Sequence, residues 1–345
     1  MSDFVITTSP ALLKALINDL KSIDSSCALK GNFGDGRYLV SFSKDKDTVT
    51  NAIVGEHHSF IKHIHPVRIK GDLQKELEND IQTLHWCVER IGLSTDKPFS
   101  IQVRSVENEA YTAKDVEVKL GQYVEQNYPI EAYFNDYDIP DDIGQQIISI
   151  LICGTTFFMG FSSARDNLYP VSDPYRIFSR WEAHISRAEF KLREALKVIG
   201  YKPVKGNTAL DLGAAPGGWS YVLAEAGMKV IAVDPAALDE RVSGHNNVTH
   251  VKTRAEDHSI SEEIALIVND MNMDPAASAR AVLAVSDTLK PGGMLVMTIK
   301  LTHGPYGERI DEAIETLSPQ FKPVDVRCLF HNRREVTGFF EKTQT

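Results

Sequence analysis

Ala209-Leu210-Asp211-Leu212-Gly213-Ala214-Ala215-Pro216-Gly217-Gly218-Trp219-Ser220 is the stretch that decides how the chain is read. An apolar run ends in an acid, a turn of small residues follows, and an amphipathic segment, Tyr221 to Ala226, leads to Gly227. This pattern predicts a strand, a tight glycine turn and the start of a helix. Glycines in such a turn let the backbone approach a ligand closely, and the first N–H groups of the helix point towards it. A second apolar run, Lys229 to Val233, ends in Asp234 about twenty residues on, where nucleotide-binding α/β sheets place an acid against ribose hydroxyls.

The turn has the order G-x-x-x-G-G, not the G-x-G-x-x-G of dinucleotide sites, and Pro216 sits inside it. That order favours S-adenosylmethionine, an adenosine with an amino-acid tail, which needs no pyrophosphate cradle. The expected cofactor-binding residues of the turn are Asp211, Gly213, Ala215, Pro216, Gly217, Gly218 and Trp219, with Asp234 at the ribose. Trp219 also fits a packing role. Downstream, Val248 to Val251 reads as a third strand, followed by a loop with Glu256 and Asp257; a carboxylate there can accept a hydrogen bond from the adenine amino group. Ile264 to Asp270 reads as a fourth strand ending in an acid. Ala276 to Leu289 is helical and closed by Lys290-Pro291-Gly292-Gly293, and Met294 to Lys300 is a fifth strand ending in lysine. A helix from Arg309 to Leu317 and strands at 324–329 and 336–340 complete the unit. Strands alternating with helices predict a doubly wound α/β sheet that binds ligands at the carboxyl ends of its strands.

The whole chain sets outer bounds. Its 345 residues suffice for two or three domains, and 43% hydrophobic with 24% charged residues is the balance of a soluble globular protein. The longest nearly apolar stretch, Ile147 to Phe161, is interrupted by Cys153-Gly154-Thr155-Thr156 and is too short to span a bilayer; it reads as buried strand. The first residues show no signal-peptide pattern. The four cysteines are scattered without a C-x-x-C pair, so neither zinc site nor disulfide framework is expected, and a cytoplasmic setting fits. A net charge of −10 argues against nucleic acid as a partner, but it is an average: between Arg165 and Lys205 nine basic residues stand against five acidic ones, directly before the cofactor turn.

In the N-terminal half, strand Phe4 to Thr8, a helix opening at Ser9-Pro10, strand Gly36 to Phe42, a short helix from Thr48 to Val54 and the alternating run Phe60 to Ile69 predict a small α+β, ferredoxin-like module over residues 1–70. His57, His58, His63 and His65 cluster there, but no carboxylate or cysteine completes a ligand set, and no metal is expected. A helix from Asp72 to Gly92, strand Phe99 to Arg104, a helix capped by Thr112 and running to about Gln126, and the apolar stretch 147–161 form a second module, 71–170. Residues 171–185 read as linker and 186–345 as the catalytic unit. Features of the second module, Phe99-Ser-Ile-Gln-Val-Arg104, Tyr111-Thr-Ala-Lys-Asp115 leading to Leu120-Gly121, and Gly160-Phe161-Ser162, resemble the THUMP domain, an RNA-binding module that accompanies RNA-modifying enzymes.

Four ionisable residues fall at the edge of the predicted sheet that faces the cofactor: Asp270, Lys300, Glu335 just before the last strand, and Lys191 on the helix that opens at Ser186. A single charge at a strand end is ordinarily only solvated; four around one turn are not so readily dismissed. Ser186-Arg-Ala-Glu-Phe-Lys191-Leu192, the Asp211 to Trp219 turn, Asp270, Lys300 and Glu335 resemble the FtsJ/RrmJ family of RNA ribose 2′-O-methyltransferases and reproduce its Lys-Asp-Lys-Glu tetrad. The closing Asn332-Arg333-Arg334-Glu335-Val336-Thr337, with the THUMP-like half, is similar to the longer RlmM type. The resemblance implies a Rossmann-like class I S-adenosylmethionine-dependent methyltransferase fold acting on structured RNA. The implied acceptor is a cytidine of 23S rRNA, naked or in a pre-ribosomal particle, with neither DNA nor membrane as partner. It implies Asp211 and Gly213 at the methionine end of the cofactor, Asp234 at the ribose and Asp257 at the adenine. Lys300 is then proton acceptor or orienting group. A neighbouring Lys191 ammonium is expected to lower its pKa, while Asp270 and Glu335 position the lysines. Two other readings compete. An RNA base N-methyltransferase would place an Asn/Asp-Pro-Pro-aromatic turn after the fourth strand, and Asn269-Asp270-Met271-Asn272 lacks it. A catalytically silent RNA-binding assembly factor would not need the tetrad.

Overall fold

The chain folds as two units, Met1–Ile177 and Phe178–Thr345. The computed structural model describes residues 1–55, 59–94, 97–128, 146–163, 166–168, 184–254 and 262–344. The expected linker therefore lies outside the described residues except for its last two positions, and so do His57, His58, Glu256 and Asp257.

The first unit contains two four-stranded sheets. β1 (Ser2–Thr7), β2 (Ala28–Asn32), β3 (Arg37–Phe42) and β4 (His63–Pro66) form one, in the order β2-β3-β1-β4, with β1 antiparallel to both neighbours. The helix after Ser9-Pro10 begins as a 3-10 turn and continues as α1 (Leu13–Ile23), which buries Leu16, Leu20 and Ile23; α2 (Lys46–Gly55) follows β3. β5 (Ile69–Asp72), β6 (Phe99–Val106), β7 (Gln146–Cys153) and β8 (Thr156–Ser163) form the second sheet, in the order β5-β8-β7-β6, with β6 and β7 parallel. α3 (Leu77–Ile91) and α4 (Ala113–Asn127) pack on one of its faces: Leu84, Val88, Leu120 and Val124 share a core with Ile101, Val103, Ile148 and Ile150.

Two expectations need correction here. The apolar stretch 147–161 is not one strand but the two arms of an antiparallel hairpin, because Gly154 takes a left-handed conformation (φ 60°) and turns the chain. The helix expected from Asp72 starts at Leu77, since Asp72 closes β5 against Thr156. Thr112, by contrast, caps α4 as expected: its hydroxyl accepts from the Asp115 N–H and the Asp115 carboxylate accepts from the Thr112 N–H, so two otherwise orphaned donors are satisfied.

The opposite face of the second sheet is mixed: Leu151 and Phe158 pack with Val5 and Leu39, and polar residues of β6 and β4 meet beside them. His63 and His65 on β4 are fully buried; His63 Nε2 lies 3.1 Å from Gln102 Oε1 and 3.2 Å from Arg104 Nη1. Burial, with the Arg104 guanidinium adding to it, holds His63 well below the ordinary histidine pKa and brings His65 down to about 3. Among the described residues no group of three or more His, Cys, Asp or Glu is arranged to hold a metal ion, and no helix is long and apolar enough to cross a membrane.

The second unit is a seven-stranded sheet. In chain order its elements are α5 (Ala188–Val198), β9 (Thr208–Leu212), α6 (Gly218–Glu225), β10 (Lys229–Val233), α7 (Glu240–Ser243), β11 (Val248–Val251), β12 (Ile264–Asn269), α8 (Pro275–Val285), β13 (Leu289–Lys300), α9 (Tyr306–Leu317), β14 (Phe321–Arg327) and β15 (Glu335–Lys342). The strand order is β11-β10-β9-β12-β13-β15-β14; the first five are parallel and β15 is antiparallel to both its neighbours. Chain order reverses direction between β9 and β12. That switch point is where open α/β sheets leave a crevice outside the carboxyl ends of their strands. Leu192, Leu223, Leu266, Val268, Val296 and Phe339 meet in the core of this unit. The doubly wound α/β fold expected from the sequence is the fold observed, with one local correction. Lys290-Pro291-Gly292-Gly293 does not end a helix: α8 stops at Val285, a 3-10 turn spans Ser286–Thr288, and β13 already begins at Leu289.

Candidate active site

β9 ends at Leu212 in the middle of the sheet, and the turn that follows is held open for a ligand. Gly213 has φ 72°, and a Cβ there would stand 2.4 Å from Met271 Cγ; Gly217 has φ 111°, and its Cβ would meet Val242 at 2.8 Å. Neither position accepts a side chain. Asp234, just past the end of β10, braces the turn: its Oδ2 accepts from the Ala215 N–H at 3.0 Å and its Oδ1 from the Ala236 N–H at 2.7 Å. Each carboxylate oxygen retains a lone pair for a hydroxyl donor.

Asp211 is buried at the end of β9 and accepts from the Ser220 hydroxyl at 2.6 Å. Burial pushes its pKa up to about 7; Ser220 opposes the shift and the Asp270 carboxylate adds to it. Such an acid is poised to ionise when a cation arrives. Trp219 lies in the core, its indole N–H donating to the Ala188 carbonyl at 2.7 Å, and a Cβ on Gly218 would stand 2.5 Å from Ser186 Oγ. These two residues thus lock α6 against the start of α5. The helix opening at Ser186 begins at Ala188 with Arg187 at the N-cap position and no side-chain cap there; Ser186, one residue earlier, has its Oγ accepting from the Ala188 N–H at 3.2 Å, and the Glu189 carboxylate accepts from the Ser186 N–H at 3.3 Å. A turn of small residues with glycine at both ends, a buried acid before it and a second acid just past the neighbouring strand fit an adenosine with a cationic amino-acid tail.

Beside this turn the four ionisable residues converge. Lys300 closes β13, and its cross-strand partner in the antiparallel register is Glu335, the first residue of β15. Asp270 follows the last residue of β12, the parallel neighbour of β13. Lys191 reaches in from α5. Lys300 Nζ donates to Asp270 Oδ1 at 2.7 Å and to Glu335 Oε2 at 2.6 Å; Lys191 Nζ donates to Asp270 Oδ2 at 2.7 Å and lies 3.2 Å from Glu335 Oε1. Each ammonium touches both carboxylates, so the group is an alternating ring of two cations and two anions.

The ring corrects one expectation. Lys300 is not pulled towards neutrality by Lys191. Burial does oppose its charge, but the carboxylates of Asp270 and Glu335 outweigh burial and raise its pKa above the ordinary lysine value. For Asp270, likewise, burial favours the neutral acid, and the ammonium groups of Lys191 and Lys300 overcome it and hold the carboxyl below its usual range. The resting site is fully ionised at those two residues.

Two participants were not singled out from the sequence. Thr298, buried on β13, donates its hydroxyl to Asp270 Oδ1 at 2.7 Å, and Ser220 supports Asp211. Thr298 had a signal, since it lies two residues before Lys300 and so on the same face of one strand. Ser220 had none beyond its place in the first turn of a helix.

The fold and the site are those of an S-adenosylmethionine-dependent methyltransferase, and residues 184–334 match the FtsJ-like methyltransferase family. Among individual proteins, the chain is 26% identical to an uncharacterized protein of Methanocaldococcus jannaschii over 72% of each sequence. It is 32% identical to the ribosomal RNA large subunit methyltransferase M of Methylococcus capsulatus over 45% of this chain and 47% of that one. The match thus spans about half the length of this ribosomal RNA methyltransferase. Among solved structures, TrmN from Thermus thermophilus covers 99% of this chain and 100% of its own at 15% identity and a TM-score of 0.38.

Proposed function

We propose that the protein methylates the 2′-hydroxyl of a ribose in structured RNA, a cytidine of 23S rRNA, in the cytoplasm. The observation that carries this reading is the Lys191–Asp270–Lys300–Glu335 ring beside the Gly213 turn. The FtsJ-like family and the named ribosomal RNA methyltransferase relatives support the substrate class. Bound S-adenosylmethionine would supply an electrophilic methyl group; Asp211 and the Gly213 backbone would hold its amino-acid end and Asp234 its ribose. A ribose hydroxyl is a weak nucleophile, so the work left to the protein is orientation and proton management. Lys300, an ammonium at rest, donates a hydrogen bond to the hydroxyl oxygen and turns a lone pair of that oxygen towards the methyl group. Lys300 loses its own proton to solvent beforehand, and the neutral amine so formed would take the hydroxyl proton as the oxygen gains the methyl group and the bond from that methyl group to sulfur breaks, leaving the cofactor a neutral thioether. Asp270 and Lys191 hold Lys300 in place, and the ring regains its balance of charge when the hydroxyl proton arrives. The first unit, with its THUMP-like features, would grip RNA through shape and phosphate contacts while the second receives one nucleotide.

The test is methyl transfer from labelled S-adenosylmethionine to protein-free 23S rRNA, followed by digestion to nucleosides, with Lys300→Ala beside the wild type. Label in 2′-O-methylcytidine that disappears in the variant is the expected result. Label on a base, or cofactor binding without transfer to naked rRNA or to large-subunit assembly particles, would overturn it.

A further inference from the structure

Glu335 opens β15 opposite Lys300, directly after the connection between β14 and β15, and that connection is tied to α5. Glu194, one helical turn after Lys191, is completely buried. Its Oε1 accepts from the Phe330 N–H at 2.7 Å; its Oε2 accepts from the His331 N–H at 3.0 Å and lies 2.6 Å from His331 Nδ1. The Phe190 ring packs against the His331 ring, with centroids 5.7 Å apart. The same connection is also fastened to β15: Asn332 Oδ1 accepts from the Leu329 N–H at 2.7 Å and from the Thr337 hydroxyl at 3.1 Å, on the far side of Glu335.

A carboxylate with no solvent contact is costly to bury unless its lone pairs are filled, and here they are filled by main-chain donors of a single short segment. We propose that Glu194 is a positioning residue for methyl transfer: by clamping Phe330 and His331 to α5 it sets Glu335 at the distance at which both lysines reach it. One helix then carries a member of the ring, Lys191, and the clamp that places another. This inference rests on the methyl-transfer reading above, but it concerns geometry that can be read without RNA.

The experiment uses the full chain with Glu194→Gln, which keeps the side-chain volume but puts an NH2 group where one acceptor must face an N–H. Two readouts are taken. The first is the rate at which acetic anhydride acylates Lys300 and Lys191, followed by mass spectrometry, with neither cofactor nor RNA present. A lysine that loses a carboxylate partner becomes neutral more readily and reacts faster. The second is the kinetics of methyl transfer. Expected are a severalfold rise in Lys300 acylation, a fall in kcat of about tenfold or more with KM values for cofactor and RNA held within about twofold, and no further loss when Glu194→Gln is added to Glu335→Gln. Unchanged acylation, or losses that multiply in the double variant, would overturn the proposal. Should Glu194→Gln fail to fold, Glu194→Asp, which keeps the charge but shortens the side chain and draws it away from the Phe330 and His331 N–H groups, is expected to raise Lys300 acylation in the same direction, and an unchanged rate again refutes the clamp. A wild-type chain inactive on RNA would sink the substrate reading alone, because the acylation arm still decides the role of Glu194 in placing Glu335.

Discussion

Lys300 and Glu335 face each other as direct cross-strand partners of β13 and β15, and their side chains meet at 2.6 Å. The backbone register thus fixes this pair, whereas Asp270 and Lys191 arrive from a different strand and from a helix. Asp270 is the member that both lysines and Thr298 share, with Oδ1 taking Lys300 at 2.7 Å, Thr298 at 2.7 Å and Lys191 at 2.9 Å. Removing it leaves two ammonium groups on one carboxylate in a largely buried site. Asp270→Ala should therefore destabilise the second unit by about 3 kcal/mol, the scale for breaking a buried ion pair from one side. Asp270→Asn, which keeps an acceptor oxygen, should cost visibly less. Urea unfolding of the two variants checks the order. Equal stability of Asp270→Ala and wild type would mean that the ring contributes nothing to the fold.

The raised pKa of Lys300 has a kinetic consequence. A group held as an ammonium must lose its proton before it can accept one, and below its pKa the neutral fraction grows about tenfold for each unit by which the pH rises. On the proposed mechanism kcat should climb steadily between about pH 6 and pH 9 with no plateau in that range. Had Lys191 depressed the pKa of Lys300 instead, the profile would level off near neutrality. Measuring kcat at saturating cofactor and RNA separates the two. A flat profile would show that Lys300 orients the hydroxyl without taking its proton.

Thr298 offers a sharper dissection, because its hydroxyl can be removed without changing volume. Thr298→Val should lower kcat by about tenfold to a hundredfold, the equivalent of losing a hydrogen bond of about 1.5–3 kcal/mol to a charged group. Thr298→Ser should recover most of that loss. The cofactor KM should barely move in either variant, since the threonine touches Asp270 and not the turn at Gly213. A serine variant as slow as the valine one would indicate that the methyl group packs something essential and that the hydrogen bond is incidental.

The sequence carried the fold of the second unit and the positions of the ring, and the reason is local. Parallel strands buried on both faces read as short apolar runs, and a charge ending such a run marks its carboxyl edge; Asp211, Asp234, Asp270 and Lys300 were all found this way. What could not be read was anything set by partners distant along the chain. The direction of the Lys300 shift depends on Glu335 lying opposite it, which the register of β15 decides and composition does not. The hairpin at Gly154 read as one stretch because both arms are largely apolar and the interruption at Cys153 to Thr156 is short, while the left-handed backbone of the glycine is what reverses the chain. Lys290 to Gly293 carries the residues of a helix stop, yet it is the opening of β13, where Leu289 already pairs with Ile264 before a register shift. Tertiary pairing there overrides the turn-forming preference of proline and glycine.

The buried histidines of the first unit supply a test independent of the chemistry. His63 and His65 are held neutral by burial and by Arg104, while in the unfolded chain each returns to an ordinary value near 6.5. Below that value the unfolded state binds more protons than the folded one, so stability falls as the pH falls. For His65 the loss continues down to its folded pKa of about 3. Each histidine contributes a slope of up to about 1.4 kcal/mol per pH unit, so the pair should cost the first unit about 2–4 kcal/mol between neutrality and pH 5. Asp211 shifts in the opposite direction: its raised pKa makes the unfolded state release its proton first, so that the second unit loses stability as the pH rises from the ordinary carboxylate value to about 7. The two units should accordingly respond to mild acid with opposite signs from these groups. Pulse proteolysis in urea at pH 7 and pH 5, with the cleaved peptides assigned to each unit by mass spectrometry, reads both at once. His65→Gln, which cannot take up a proton, should reduce the acid sensitivity of the first unit and leave that of the second unchanged. A first unit equally stable at both pH values would mean that the histidines are reached by water or by a carboxylate that compensates their charge.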